Sequence, residues 1–110
     1  MPLSERARIE VYLPDLPRPA YQDLLTALDR EFTFTLGGCT IIRGLEGSYL
    51  SVRGDWVRDR ITLIYSDVPA PSDESFTRIA RYAEELRIAA FEALDEEAVL
   101  VALFRVSHAG

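Results

Sequence analysis

The sequence predicts an α+β fold: a ferredoxin-like βαββαβ sandwich whose four-stranded antiparallel sheet carries two helices on one face. Three observations predict it. Residues 8–13 and 57–65 alternate with the period of two that belongs to strands. Residues 19–31 and 73–94 repeat apolar side chains at helical spacing. Between those helices, residues 35–67 are rich in Ile, Val, Thr, Tyr and Gly and read as a long hairpin. Right-handed crossovers then set the spatial strand order as fourth, first, third, second.

In the first strand Ile9, Val11 and Leu13 share one face, and Arg8, Glu10 and Tyr12 the other. Prolines at 14, 17 and 19 end it, and Pro19 suits the first turn of a helix. Tyr21, Leu24, Leu25, Leu28 and Phe32 form that helix's apolar stripe, with an end expected near Glu31. The hairpin arms are 39–43, extended through Tyr49, and 57–65. Gly37, Gly38, Gly44 and Gly47 punctuate the first arm, so a kinked strand is expected. In the second arm the face carrying Ile61 and Leu63 is expected to meet the helices. Pro69 and Pro71 stop it, and Ser72 or Asp73 caps the second helix. Phe76, Ile79, Ala83, Leu86 and Ala90 stripe that helix, and Arg81 is spaced to pair with Glu84 and Glu85. Residues 98–106, apolar on both faces until Arg105, read as a strand covered on both sides.

The helices shield one sheet face only. Leu100, Ala102, Phe104 and Val106, or the opposite parity, are therefore expected on the open face beside Ile42 and Ile64. An apolar patch of that kind marks an interface, which predicts a homo-oligomer packed sheet to sheet or through the hairpin arms.

The length of 110 residues fits one domain, with 1–7 and 107–110 as flexible ends. A net charge of −6 argues against a nucleic-acid partner, although all twelve basic residues are arginine. One cysteine makes no internal disulfide, the first residues carry no signal-peptide run, and the apolar runs are strand-sized. The expectation is a reduced, cytoplasmic protein with no membrane segment, cofactor or metal.

The run from Val11 to Val106 resembles a family of small bacterial domains of unknown function. The residues that carry the resemblance are Gly38, Cys39 and Thr40 at the second strand, then Gly44 and Gly47, Gly54 at the hairpin tip, and residues 98–101 at the last strand. Asp59 stands where the family's pattern has Glu. The resemblance implies the ferredoxin-like fold and no assigned activity. At fold level the chain also looks like dimeric α+β barrel proteins and nitrogen-regulatory PII-type proteins.

No motif fixes a reaction, so candidate residues are weighed against plainer roles. Glu10 and Tyr12 on the first strand are expected across from Arg60 and Thr62 on the third, with Thr40 nearby; together they form a half-polar ligand site or, more plainly, cross-strand pairs at an interface rim. Gly37 and Gly38 form an anion-binding nest or simply a tight turn. Cys39 has no base nearby in sequence and reads as a packed small residue rather than a nucleophile. The acidic group Glu92, Asp95, Glu96 and Glu97 opposes a helix dipole and calls for Arg43, Arg105, a basic partner or a cation, or else only for solvent. His108 is a general base if a partner closes over the tail, and otherwise a loose end. Trp56 near the hairpin tip is a packing anchor or, if exposed, a partner contact.

The leading expectation is a soluble oligomeric module that binds a small molecule or a protein partner through the open sheet face. A cofactor-free enzyme of the dimeric barrel type, using Tyr12 or His108 with Arg60 orienting an acidic substrate, is the competing class. A structural assembly subunit is the third.

Overall fold

The computed structural model describes residues 3–94 and 99–109. The elements are β1 (Leu3–Pro14), α1 (Pro19–Leu36), β2 (Thr40–Leu50), β3 (Trp56–Pro69), α2 (Asp73–Leu94) and β4 (Leu100–Ala109). The strands form one antiparallel sheet in the order β2-β3-β1-β4, the order expected from right-handed crossovers. The fold is ferredoxin-like.

Ile9, Val11 and Leu13 of β1 are buried against Leu25, Leu28 and Phe32 of α1 and Ala83 and Leu86 of α2. A second cluster joins Ala7, Val68 and Ala70, with Phe76 and Ile79 packed on it. α2 has the limits the sequence predicts, and Ser72 accepts the Ser75 N–H at 3.1 Å, a side-chain cap on a free helical donor. Among the described residues Arg81 is in no ion pair, whereas Arg87 binds Glu84 at 2.6 Å and Arg78 binds Glu74 at 3.3 Å. α1 runs five residues beyond the expected end, to Leu36. Gly37 stops it at φ 93, a left-handed conformation that glycine adopts without a Cβ clash.

The facing of β3 corrects the sequence reading. Ile64 pairs with Val11 and Ser66 with Ile9, so the even-numbered residues Thr62, Ile64, Ser66 and Val68 meet the helices and are buried. Ile61, Leu63 and Tyr65 lie on the open face, and Ile64 is absent from it. Burial of two hydroxyl residues disguised the alternation. Ser66 Oγ donates to the Gly38 carbonyl at 2.7 Å, which satisfies it inside.

β4 is covered on one face only. Val101 and Leu103 pack on the core, whereas Leu100 is 60% and Phe104 38% exposed. The first and last strands also run further than expected, because β1 and β4 pair from Leu3 with Ala109 to Tyr12 with Leu100.

β2 is kinked, as its glycines predict. The register with β3 shifts between Ile42 and Leu45, leaving Arg43 and Gly44 as a bulge. Gly44 has φ 71, and its N–H donates to Asp15 Oδ2 at 2.9 Å, which ties the bulge to the end of β1. β1 pairs with β3 only as far as Ile61, yet β2 and β3 stay paired out to Leu50 and Trp56. The outer hairpin is thus a two-stranded ribbon projecting beyond the sheet, in a molecule 48 Å long and 27 by 22 Å across. Tyr49, Leu50, Val52 and Trp56 on it are all more than half exposed.

Candidate functional site

Strand alternation puts Ser4, Arg6, Arg8, Glu10 and Tyr12 of β1 on the face away from the helices, because Ala7, Ile9, Val11 and Leu13 are buried beneath them. Register supplies their neighbours. Tyr12 lies between Leu63 and Leu100, with Ile42 beyond Leu63. Glu10 lies between Tyr65 and Ala102, with Thr40 beyond Tyr65. Arg8 lies between Asp67 and Phe104, and Ser4 is paired with His108. One end of this uncovered face is therefore mainly apolar and the other charged.

At the charged end Arg8 grips Asp67 in a two-toothed pair, Nε to Oδ1 and Nη2 to Oδ2, each at 2.7 Å. Geometry of this kind fixes both side chains as well as attracting them. His108 Nε2 lies 3.0 Å from Asp67 Oδ2, and the Arg8 guanidinium stacks 4.4 Å from the centre of the Tyr65 ring. Arg8 holds the Asp67 carboxyl below the usual carboxylate range, with a smaller contribution from His108, against a desolvation penalty that acts the other way. Asp67 raises the Arg8 pKa in return. Next along β1, the Tyr12 hydroxyl donates to Glu10 Oε1 at 2.6 Å, and that bond, followed by burial, pushes the phenol pKa up.

Beside this face, where β2 begins, a cleft of ≈ 340 Å³ is bounded by Leu36, Gly37, Gly38, Cys39, Thr40, Tyr65, Ser66 and Asp67. Thr40, Tyr65 and Asp67 belong both to the cleft and to the open face, so face and cleft make one continuous surface. A second groove, of ≈ 440 Å³, lies between the helices, with Leu24, Ala27 and Ala89 in its walls and Glu31 and Glu85 at its rim. There the Tyr82 hydroxyl donates to Glu31 Oε1 at 2.8 Å; burial first and Glu31 second raise the Tyr82 pKa strongly.

The expected constellation divides. Glu10, Tyr12 and Thr40 share the open face. Thr62 is buried under the helices, and Arg60 points to that same side, beyond the core, exposed and paired in register with Glu46. The cause is the facing of β3 described above. The Gly37 and Gly38 N–H groups are spent on the last turn of α1, donating to Thr33 O and Phe32 O at 3.2 and 3.3 Å, so they make a helix cap and not an anion nest. Cys39 Sγ donates to Asp29 Oδ1 at 3.3 Å; burial and then that carboxylate raise its pKa, which keeps it a thiol and a poor nucleophile. Of the acidic group, Glu92 is exposed, and Asp95, Glu96 and Glu97 lie outside the described residues. Among the described residues, Arg105 donates to Asp73 at 2.8 Å and Arg43 to Gln22 at 3.5 Å. Trp56 is exposed, with Arg58 5.2 Å from its ring centre.

Arg8, Asp67 and Tyr65 join this face although the sequence reading does not count them among its candidates, and His108, read as a general base or a loose end, lies in β4. The alternation of β1 already put Arg8 beside Glu10. Asp67 needed only the recognition that β3 continues to Pro69. Among the described residues, no helix is long and apolar enough to cross a membrane.

No family model matches the chain, and no curated protein does. Among solved structures, the divalent ion tolerance protein CutA1 from Ehrlichia chaffeensis superposes with a TM-score of 0.61 at 4% identity, covering 97% of this chain and 86% of that one. A phage SAM lyase in complex with S-methyl-5'-thioadenosine gives 0.57 at 18% identity, covering 96% and 90%. The CPII protein of Thiomonas intermedia, bound to ADP, AMP and acetate, gives 0.50 at 19% identity, covering 100% and 94%. At such identities the likeness is one of fold, and it supports the ferredoxin-like assignment.

Proposed function

We propose that this chain is a non-enzymatic binding module that works as an oligomer, with a second copy laid over the open sheet face and a small ligand enclosed where that face meets the edge cleft. One observation carries the reading: on a face that no described element covers, Leu100, Phe104 and Ile42 stand exposed beside a charged cluster whose Asp67 side chain is already only 13% exposed. Apolar side chains around a few fixed polar groups are the usual make-up of a small-molecule site. Thr40, Tyr65 and Asp67, shared by face and cleft, are the contacts assigned to the ligand, with Glu10 and Tyr12 behind them. The phage lyase was solved with a thioadenosine and CPII with ADP and AMP, so an adenosine-bearing compound is the first ligand to try.

Native mass spectrometry of the purified protein tests both halves of the proposal. The expected spectrum is an oligomer that retains small-molecule mass, and Tyr65→Ala reduces the retention. A monomer at micromolar concentration with nothing bound would overturn the reading.

The hydrogen bond between His108 and Asp67 is the observation that favours the enzymatic reading, since a carboxylate that orients an imidazole also fits a general base. Arg60 leaves that reading, because it stands on the opposite side of the sheet from Tyr12 and His108. A turnover lost in His108→Gln while ligand retention persists would establish it.

A further inference from the structure

We propose that Arg6 is the anion-binding group of the open sheet face, taking a carboxylate or phosphate carried by the ligand; the inference rests on the reading of that face as a ligand site. Arg6 sits on β1, a central strand of the sheet, between the Ser4–His108 pair and the Arg8–Asp67 pair. Among the described residues its side chain makes no ion pair or hydrogen bond, and its Nε is sealed from solvent without an acceptor. A guanidinium N–H shut away from water without an acceptor is a costly arrangement in a finished structure.

The nearest carboxylate on the same face has little left to give. Asp67 offers both oxygens to Arg8, and His108 lies on Oδ2 as well. Because β1 separates β3 from β4, the His108–Asp67 contact crosses β1 between the rows of Ser4 and Arg8, over the position of Arg6. A cleft of ≈ 410 Å³ lies against Ser4, Arg6 and Pro69 and gives an anion room to approach. Glu5 also borders it, from the opposite face of the strand by alternation, and makes no ion pair with Arg6. A guanidinium fork fits the planar pair of oxygens on a carboxylate and two oxygens of a phosphate equally well, so both are named.

The test uses the whole purified protein with inorganic phosphate and acetate as separate probes, and chloride at matched ionic strength as the reference. Wild type, Arg6→Gln, Arg6→Lys and the surface control Arg30→Gln are compared by thermal shift and by amide NMR. Phosphate or acetate is expected to raise the wild-type Tm and move the amides of Ser4, Arg6 and His108. The apparent affinity falls at least about tenfold in Arg6→Gln, is partly kept in Arg6→Lys, and is unchanged in Arg30→Gln. Whichever anion acts in the wild type identifies the group. An equal response in Arg6→Gln, or no response in the wild type, overturns the proposal. So does a change of oligomeric state in Arg6→Gln and Arg6→Lys with no anion effect, which would mean that a second copy supplies the acceptor. The wider reading is tested separately: if wild type and Arg6→Gln retain the native ligand equally, the open face remains a ligand site and only the role of Arg6 falls.

Discussion

Asp67→Asn is the most informative single change, because it removes one charge from the polar end of the open face and keeps the shape. Asp67 accepts two hydrogen bonds from Arg8 at 2.7 Å and lies 3.0 Å from His108. With side chains 28% and 13% exposed, the Arg8–Asp67 pair lies between a surface ion pair, worth about 0–1 kcal/mol, and a buried one, whose breakage costs about 3–5 kcal/mol. A loss of roughly 2 kcal/mol is therefore expected, in the range for hydrogen bonds to charged groups. For a chain of 110 residues that corresponds to a fall in Tm of about 8 °C. The pH dependence has a definite sign. The Asp67 carboxyl is held low in the fold, so its contribution is present above the ordinary carboxyl pKa of about 4 and is lost as pH falls through the lower folded value. Thermal melts at fixed protein concentration should show the full gap between wild type and variant at neutral pH and a narrowing gap in acid. Arg8→Met with Asp67→Leu, which leaves no charge stranded, should lose less than Asp67→Asn alone. A fall of under about 2 °C, or a gap that persists unchanged into strong acid, would refute the claim that this pair matters to the fold.

Four further outcomes follow from the same structure. Tyr82→Phe should cost about 1 kcal/mol in denaturant melts by removing the bond to Glu31. In alkaline absorbance titration, Tyr82 should be among the last of the five tyrosines to ionise, since its raised pKa gives stability that is complete below the ordinary value near 10 and fades as pH climbs through the folded one. Cys39 should react with a thiol reagent much more slowly in the native protein than in denaturant at the same mildly alkaline pH, because burial and Asp29 disfavour the thiolate; equal rates would contradict that. Gly44→Ala should destabilise by about 1 kcal/mol through the left-handed backbone at φ 71, and Gly44→Asn by less, as read by urea unfolding.

The order of elements, the strand order and the limits of α2 were legible because they rest on local periodicity and on a general rule of handedness. The facing of β3 was not. Its two faces are nearly equally apolar, with Ile61 and Leu63 on one and Ile64 and Val68 on the other, and two hydroxyl residues sit on the buried side. Only the pairing of Ile64 with Val11 decides between them, and that is a contact between distant parts of the chain. The expected constellation divides for the same reason: Glu10, Tyr12 and Thr40 share the open face, while Arg60 and Thr62 lie on the other. His108 follows the same logic, since residues that read as a frayed tail become strand once the first and last strands of the chain pair along their full length. The length of α1 was hidden by Thr33, Phe34 and Thr35, poor helix formers that the cap at Gly37 holds in place.

The ribbon beyond Ile61 has no third strand to lean on, and a lone pair of strands is barely stable in water. In the oligomer proposed above, it would take its order from the second copy. For this arm, folding and assembly then become a single event. Its amide protons should exchange at a rate set by protein concentration, while those of β1 and β3 behind it keep time with the fold itself.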